Sequence, residues 1–371
     1  MRKNAQPKAL SLFTGAGGFD IGVRQAGFSI LAAIEIDPHC CATLRAAQER
    51  EMTQTRILEE DIRAVEPGQL MHELELTPGS LDLLFGGPPC QTFSAVGKQQ
   101  GLDDARGMLL FELIRFAEVF KPKVLLLEQV KGLLATRGQH GRRGEVFEFF
   151  LKQVERIGYV PKWQVIRAAD FGVPQLRERL FVVATYGHNG FIFPEPTHAP
   201  PGNAHGPFSC KPWVSAGAVL NGLGVPDKKI PFQTVYERQD SHVDVTPPRD
   251  RERITDVPEG SYLAAQTHLC PAIRGKLTRK DTTKYLRLHR ERPSNTLRCG
   301  EIFYHPTENR YLTPREYMRI HGYPDDYVLR GPIRARTGSV KNLDQHRQVA
   351  NSVPPPLARI LAQNIREYLD E

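Results

Sequence analysis

The segment ALSLFTGAGGFDIGVRQAGFSILAAIEID (residues 9–37) sets the fold. ALSLF (9–13) is a short apolar run of strand length, and TGAGG is a glycine-rich turn. A helical pattern follows from about Phe19 to Gly27, and ILAAIEID (30–37) is a second strand. Strand, turn, helix and strand in so short a stretch describe a parallel βαβ unit. The same rhythm continues. PHCCATLRAAQ (38–48) is a helix with Pro38 at its first position, and LDLLF (81–85) is a strand. MLLFELIRFAEVF (108–120) is an amphipathic helix, VLLLEQV (124–130) a strand, EVFEFFLKQVERIG (145–158) a helix and LFVVAT (180–185) a late strand. The expected architecture is α/β, a mostly parallel sheet with helices on both faces.

Composition changes after Gly187. From there to about Arg287 the chain is rich in Pro, Gly, Lys and Arg and has no long helical period. The expected organisation is a first domain over 1–187 and a smaller irregular and β module over 188–288. The rest of that module and a return segment follow over 289–345, and a C-terminal segment with a helix over 346–371 rejoins the first domain. Residues 273–298 are strongly basic: Arg274, Lys276, Arg279, Lys280, Lys284, Arg287, Arg290, Arg292 and Arg298. Such a run is either a solvated face or a phosphate-facing one. The formal net charge of +7 points weakly the same way.

The six cysteines are Cys40, Cys41, Cys90, Cys210, Cys270 and Cys299. They have neither zinc spacing nor a C-x-x-C pair, so most are expected to be buried free thiols. The N-terminus has no apolar signal core, and no apolar run approaches the ~20 residues that span a bilayer. A soluble cytoplasmic protein is expected.

Ligands of open α/β sheets gather beyond the carboxyl ends of the strands, so the loops there carry the chemistry. FTGAGGFD (13–20) has glycines for close approach, but neither the Lys-Ser/Thr of a phosphate loop nor the spacing of a dinucleotide fingerprint. Glu35, ending the second strand, suits ribose hydroxyls, and Asp61 suits an adenine amino group. Together they suggest a nucleoside-bearing cofactor without a pyrophosphate. Cys90, behind Pro88 and Pro89, is a thiol on a stiff strand-end loop, a poor place to hide a side chain and a good one for a nucleophile. Glu128, at the tip of an apolar strand, is partly desolvated, which raises a carboxyl pKa and favours proton donation. Gln175, Arg177 and Arg179 alternate and so share one strand face, where two arginines suit a phosphate and a base carbonyl.

In this order the segments resemble the DNA (cytosine-5) methyltransferases of restriction–modification type. FTGAGGFDIG resembles the family's first cofactor motif and GGPPCQTFS its Pro-Cys motif. LLEQVKG is similar to its Glu-Asn-Val motif and PQLRERLFVVA to its Gln-x-Arg-x-Arg motif. RPSNTL (292–297) and HRQVANSVPPPLA (346–358) resemble its last two. The resemblance implies a Rossmann-like methyltransferase fold with a target-recognition domain. It implies S-adenosylmethionine as methyl donor, S-adenosylhomocysteine as product, and no metal.

By the same resemblance, Phe13, Gly15, Gly17, Gly18 and Phe19 form walls of the cofactor site, Glu35 holds its ribose, Asp61 its adenine, and Ile36 and Ile62 also belong to the site. Pro89, Leu109, Asn351 and Ser352 complete it. Cys90 becomes the nucleophile at cytosine C6 and Glu128 the group at N3. Arg179 contacts the base, and Arg177 helps hold the loop and backbone. Double-stranded DNA is the implied substrate, with a restriction endonuclease acting separately, no membrane, and a monomeric enzyme. The sequence departs from the family at Gln129, one methylene longer than the usual Asn. A tRNA cytosine-5 methyltransferase shares the motif order, and the basic module favours DNA over it. A catalytically inactive DNA-binding regulator is the reading from another class, and intact Cys90, Glu128 and Arg179 argue against it.

Overall fold

The computed structural model describes residues 6–89, 109–138, 140–188, 190–202, 210–228, 240–278, 280–335 and 342–371. Cys90 and Arg279 lie outside the described residues. One sheet contains β1 (Lys8–Leu12), β2 (Ser29–Glu35), β3 (Arg56–Glu59), β4 (Leu83–Gly86), β5 (Val124–Val130), β6 (Tyr159–Arg167) and β7 (Glu178–Tyr186), in the order β3-β2-β1-β4-β5-β7-β6. β1 to β5 pair in parallel, and β7 runs antiparallel between β5 and β6. Its helices are α1 (Gly18–Gln25), α2 (Pro38–Glu51), α3 (Pro67–Glu73), α4 (Leu109–Phe120) and α5 (Glu145–Arg156).

The central strands are buried on both faces, which is why they read as unbroken apolar runs. Alternation still decides which core each side chain enters. Leu10, Leu12, Leu84, Leu125 and Leu127 meet Phe116 and Phe120 of α4 and Phe147 and Phe150 of α5. Their neighbours Ala9, Leu83, Phe85 and Leu126 face the opposite side, where Phe19 and Val23 of α1 lie. There they also meet Leu357, Leu361 and Ile365 of the last helix.

Three elements were not expected from the sequence. β3 and β6 are the two edges of the sheet, where one side of each strand has no partner strand. Their polar residues, including Lys162 and Gln164, and Pro161, tolerated at an edge, break the apolar signal. The short α3 starts at Pro67 and has little amphipathic length to read. α1 stops at Gln25 rather than running to Gly27, because Gly27 adopts a left-handed φ of 89°.

Beyond β7 the elements are short. β8 (His198–Ala199) pairs β9 (Lys211–Pro212), and β10 (Asp227–Lys228) pairs β11 (Val243–Asp244), with α6 (Ala216–Leu220), α7 (Pro248–Ile254) and α8 (Pro271–Arg274) among them. α9 (Pro314–His321), α10 (Gln345–Asn351) and α11 (Pro355–Asp370) follow. A third apolar cluster joins Leu286, Leu288, Tyr304, Tyr317 and Val349 to Ile21 of α1 and Cys40 of α2.

The basic run does not form a uniform face. Arg287 is buried and donates to the carbonyls of Ile254, Val257, His305 and Glu308 and to Asn309 Oδ1. It ties this module together and is neither solvated nor open to a phosphate. Arg290 pairs with Glu259 and Lys284 with Asp281, while Lys276, Lys280 and Arg292 stay exposed. Among the described residues, the cysteine expectation holds for Cys40 and Cys41, which are buried; Cys210 is half-buried, and Cys270 and Cys299 are exposed. Burial pushes the Cys41 thiol up to about 12, so it is inert.

α11 returns to the sheet by packing on α1. A Cβ on Gly22 would stand 2.4 Å from Ala358 Cβ, and one on Gly18, a turn earlier, 2.9 Å from Ser352 Cβ. The bare glycine edge lets residues 352–359 lie against α1. Beside it Asp20 is 1% exposed, receives Ser11 Oγ at 3.1 Å, and leaves Oδ1 without a partner.

Burial raises the Asp20 pKa from 3.8 to about 6, against the opposing pull of Arg24. A raised carboxyl destabilises the fold only where it must ionise. The penalty is absent below about pH 4, grows up to about pH 6, and is constant above. Asp20→Asn is therefore expected to stabilise the protein by up to about 3 kcal/mol at pH 8 and hardly at pH 4. Denaturant unfolding at both pH values checks this; an equal effect at both would contradict it.

Candidate active site

The strand order reverses between β1 and β4: the chain steps outward to β2 and β3, then returns to β4 on the other side of β1. The loops leaving β1 and β4 therefore diverge and open a crevice at the carboxyl edge. Gly86 pairs with Leu12 in register, and a Cβ on it would stand 2.6 Å from the Leu12 carbonyl. Glycine at that position lets the Gly-Pro-Pro loop leave close beside the glycine turn.

On the β1 side the chain turns through two left-handed glycines, Gly15 (φ 59°) and Gly17 (φ 78°), preceded by Phe13 (φ 55°). Glu35, at the end of β2, fixes this turn: Oε2 accepts from Gly15 N at 2.7 Å and Oε1 from Asp37 N at 2.8 Å. Burial raises the Glu35 carboxyl above its ordinary range, opposed by those two N–H groups. Each oxygen keeps a lone pair for a ligand hydroxyl. Ile36 exposes 37% of its surface beside it. Asp61 follows β3; its carboxylate accepts from Arg63 N and pairs with the Arg63 guanidinium.

Leu109 begins α4, and both Phe13 and Leu109, half-buried, pack against the same apolar cluster. Pro89 is exposed at the end of the described loop. The side chains of Phe19 and Ile62 are largely buried. The Phe19 ring lies edge-on to Phe85, 5.0 Å between centroids, and Ile62 is 4% exposed in the core. Both continue the apolar faces of their elements, so each offers little side-chain surface to a ligand there. An acid with free lone pairs, exposed apolar surface and a second acid fit a nucleoside with a diol and an amine.

On the β4 side, Glu128 and Arg179 form a pair. In the antiparallel β5–β7 register Glu128 stands opposite Phe181 and Arg179 opposite Val130, so the two are diagonal neighbours on one face. Arg179 Nε lies 2.9 Å from Glu128 Oε1, and both side chains are largely buried, at 15% and 11% exposed. A Cβ on Gly87 would stand 3.1 Å from Glu128 Oε2, so the proline loop passes directly over the carboxylate. Gln129, beside it and 1% exposed, holds that loop: its Nε2 donates to the Pro88 carbonyl at 2.8 Å, and its Oε1 accepts from Val130 N at 2.9 Å.

The residue that makes this tie stands where the family usually has Asn. Gln129→Leu keeps the volume but leaves the buried Pro88 carbonyl and Val130 N–H unpaired, at about 1–3 kcal/mol each. The expected result is a kcat at least about tenfold lower at saturating substrates. Unchanged kcat would show that the tie has no bearing on the loop.

Arg177 is buried away from any phosphate and instead holds backbone, the kind of role that the resemblance implies for it. β7 starts only at Glu178, and Arg177, 2% exposed, donates to the carbonyls of Ala350 and Ser352, each at 3.0 Å. Strand alternation therefore does not extend to Gln175 and Arg177, which precede the strand, and the C-terminal segment covers Arg177. Burial lowers its pKa to about 9, with Arg179 adding to the effect. Gln175 is wholly buried and accepts from Leu297 N. Asn351 is exposed and accepts from the Cys299 thiol, and Ser352 lies under Gly18. The Gln129 and Cys299 contacts had no signal in the sequence, since both are made across distant segments. Among the described residues no group of side chains could hold a metal ion.

Comparison with known proteins agrees with this arrangement. The family model for C-5 cytosine-specific DNA methylase matches residues 8–367. The chain is similar to the type II methyltransferase M1.HphI of Haemophilus parahaemolyticus, 34% identical over 96% of this chain and 86% of that protein. It is also similar to M.NgoFVII of Neisseria gonorrhoeae, 31% identical over 97% and 86%. Among solved structures, a chain described as a DNA modification methyltransferase encoded within an E. coli prophage superposes with a TM-score of 0.72 at 20% identity, covering 98% of this chain and all of that one. Spodoptera frugiperda DNMT2 superposes with a TM-score of 0.60 at 16% identity, covering 97% of this chain and 99% of that one. These two likenesses concern the fold.

Proposed function

The chain belongs to the C-5 cytosine-specific DNA methylases and is a DNA (cytosine-5) methyltransferase, and on that premise we propose how its own residues carry out the reaction. The target is a cytosine in a specific duplex sequence. The observation that carries the reading is the meeting of Glu128, Arg179 and the proline loop at one edge of the sheet, with Gln129 anchoring the loop two residues from its cysteine.

S-adenosylmethionine, implied by the family, supplies an electrophilic methyl group. Glu35 would hold its ribose hydroxyls, Ile36 and Phe13 its apolar faces, and Asp61 its amino group, with Gly15, Gly17, Gly18, Leu109, Asn351 and Ser352 closing the site.

Cytosine C5 is a poor nucleophile. Addition of the Cys90 thiolate to C6 forms a carbon–sulfur bond and moves the ring's electron pair to C5, which then has enamine character. Glu128 delivers a proton to N3, where negative charge would otherwise build, and Arg179 donates to the O2 side of the ring. After C5 has been methylated, loss of its proton restores the double bond and expels the thiolate. A stacked base cannot reach these groups, so the nucleotide must be flipped out, at a few kcal/mol. The exposed Lys276, Lys280 and Arg292 offset that cost through the DNA backbone. Residues 188–288, with part of 289–345, would read the sequence through the major groove. A restriction endonuclease acting separately on the same sequence completes the expected context.

Bisulfite sequencing of host DNA after expression of the chain tests the reading. Protected cytosines should recur in one sequence context and be absent from cells expressing Cys90→Ser. No protected cytosine in host DNA, or protection that persists with Cys90→Ser, would contradict it.

A further inference from the structure

We infer that His321 is a positioning residue for the methyl donor: its imidazole, held between Gln175 and the Ser352 carbonyl, fixes the turn that presents Asn351 and Ser352. The inference rests on the reading that this turn lines the S-adenosylmethionine site.

His321 is the last residue of α9, and Gly322 turns the chain away behind it with φ 84°. The imidazole is completely buried. Its Nδ1 lies 2.9 Å from Gln175 Nε2 and its Nε2 lies 2.9 Å from the Ser352 carbonyl. The proton position follows from the network. Gln175 Oε1 is already occupied by Leu297 N at 3.0 Å, so its amide presents N–H to the ring. Nδ1 must accept, and the ring proton therefore sits on Nε2 and is donated to Ser352.

Arg177 Nη2 donates to the same carbonyl and Nη1 to that of Ala350, both at 3.0 Å. Three donors thus clamp the two carbonyls that flank Asn351. From the other side Gly18 closes on Ser352. Neither arginine nor glycine can replace the imidazole: without it, one lone pair of a buried carbonyl is left unmet and the Ser352 carbonyl is held by Arg177 alone. A protonated ring would set a second N–H against the Gln175 amide, and burial with the adjacent Arg177 charge pushes its pKa well below the ordinary range. The clamp is therefore a neutral one.

The test compares His321→Gln with His321→Asn in the full chain. Glutamine can place an amide N–H where Nε2 stands and reach Ser352; asparagine reaches only the Nδ1 position, beside Gln175. S-adenosylhomocysteine is titrated calorimetrically, and duplex DNA affinity and kcat at saturating S-adenosylmethionine are measured alongside. The Asn variant should bind S-adenosylhomocysteine about tenfold more weakly, with DNA affinity and saturated kcat within about threefold of the parent; the Gln variant should recover most of the loss. Equal binding by the Asn variant and the parent, or equal losses in the two variants, would overturn the role of His321. A parent protein that binds no S-adenosylhomocysteine would instead overturn the cofactor reading.

Discussion

Cys90→Ser is expected to abolish methyl transfer while duplex binding survives. Serine is nearly isosteric, so the loop held by Gln129 should keep its course from Gly86 to Pro89. What changes is nucleophilicity. A thiol yields an appreciable thiolate near neutral pH, whereas a serine hydroxyl needs a dedicated base to attack carbon. Loss of a covalent nucleophile costs about 10⁴-fold or more in rate. A radioactive methyl-transfer assay with a gel-shift measurement on the same duplex separates the two effects. Retained turnover would mean that C5 is activated without an adduct. Lost binding would mean that the substitution had acted on the loop rather than on the chemistry.

The second large effect is expected at Glu128. Glu128→Gln preserves shape and a hydrogen-bonding oxygen but cannot give a proton to N3. General acid–base groups contribute about 10²–10⁴-fold, and kcat should fall by that factor while KM for DNA changes little. The diagonal pairing with Arg179 sharpens the expectation. In the free protein Arg179 rests against Glu128, and when a base enters, both groups are already gathered on the face where N3 and O2 would lie. Glu128→Gln weakens that gathering as well as the proton transfer. Arg179→Lys alone keeps a charge but loses the planar fork, so it should have a smaller effect. A Glu128→Gln variant with parental kcat would remove the carboxyl from the mechanism.

Much of this site could be read along the chain because its parts stand at strand ends. β5 is apolar up to Leu127, so Glu128 stands out two residues before its end. The same burial made the parallel strands legible, while the half-exposed edges β3 and β6 were lost among polar residues. Alternation applies to Arg179, inside β7, but not to Arg177, which precedes the strand, and it gives no depth for either. Depth depends on what packs over a strand, and here residues 350–352 cover Arg177 and leave Arg179 beside Glu128. Arg287 was misread for a related reason. A charged residue within a basic run looks solvated until five acceptors from separate turns close around it. Gln129 was visible as a departure from the family, but its effect was not. Only the fold brings Pro88 within 2.8 Å of its amide and shows that the longer side chain reaches the loop.

The central claim is that the reaction passes through a bond between Cys90 and the target base. The most direct measurement uses duplex DNA carrying 5-fluorocytosine at the methylated position, incubated with the protein and S-adenosylmethionine and then denatured. Fluorine cannot leave C5 as a proton does, so elimination should fail after methylation and the protein should stay attached. The account predicts a denaturation-resistant adduct whose tryptic peptide carries the nucleotide on Cys90 and which Cys90→Ser does not form. Normal methylation of ordinary DNA with no adduct on the fluorinated duplex, or an adduct on another residue, would contradict it.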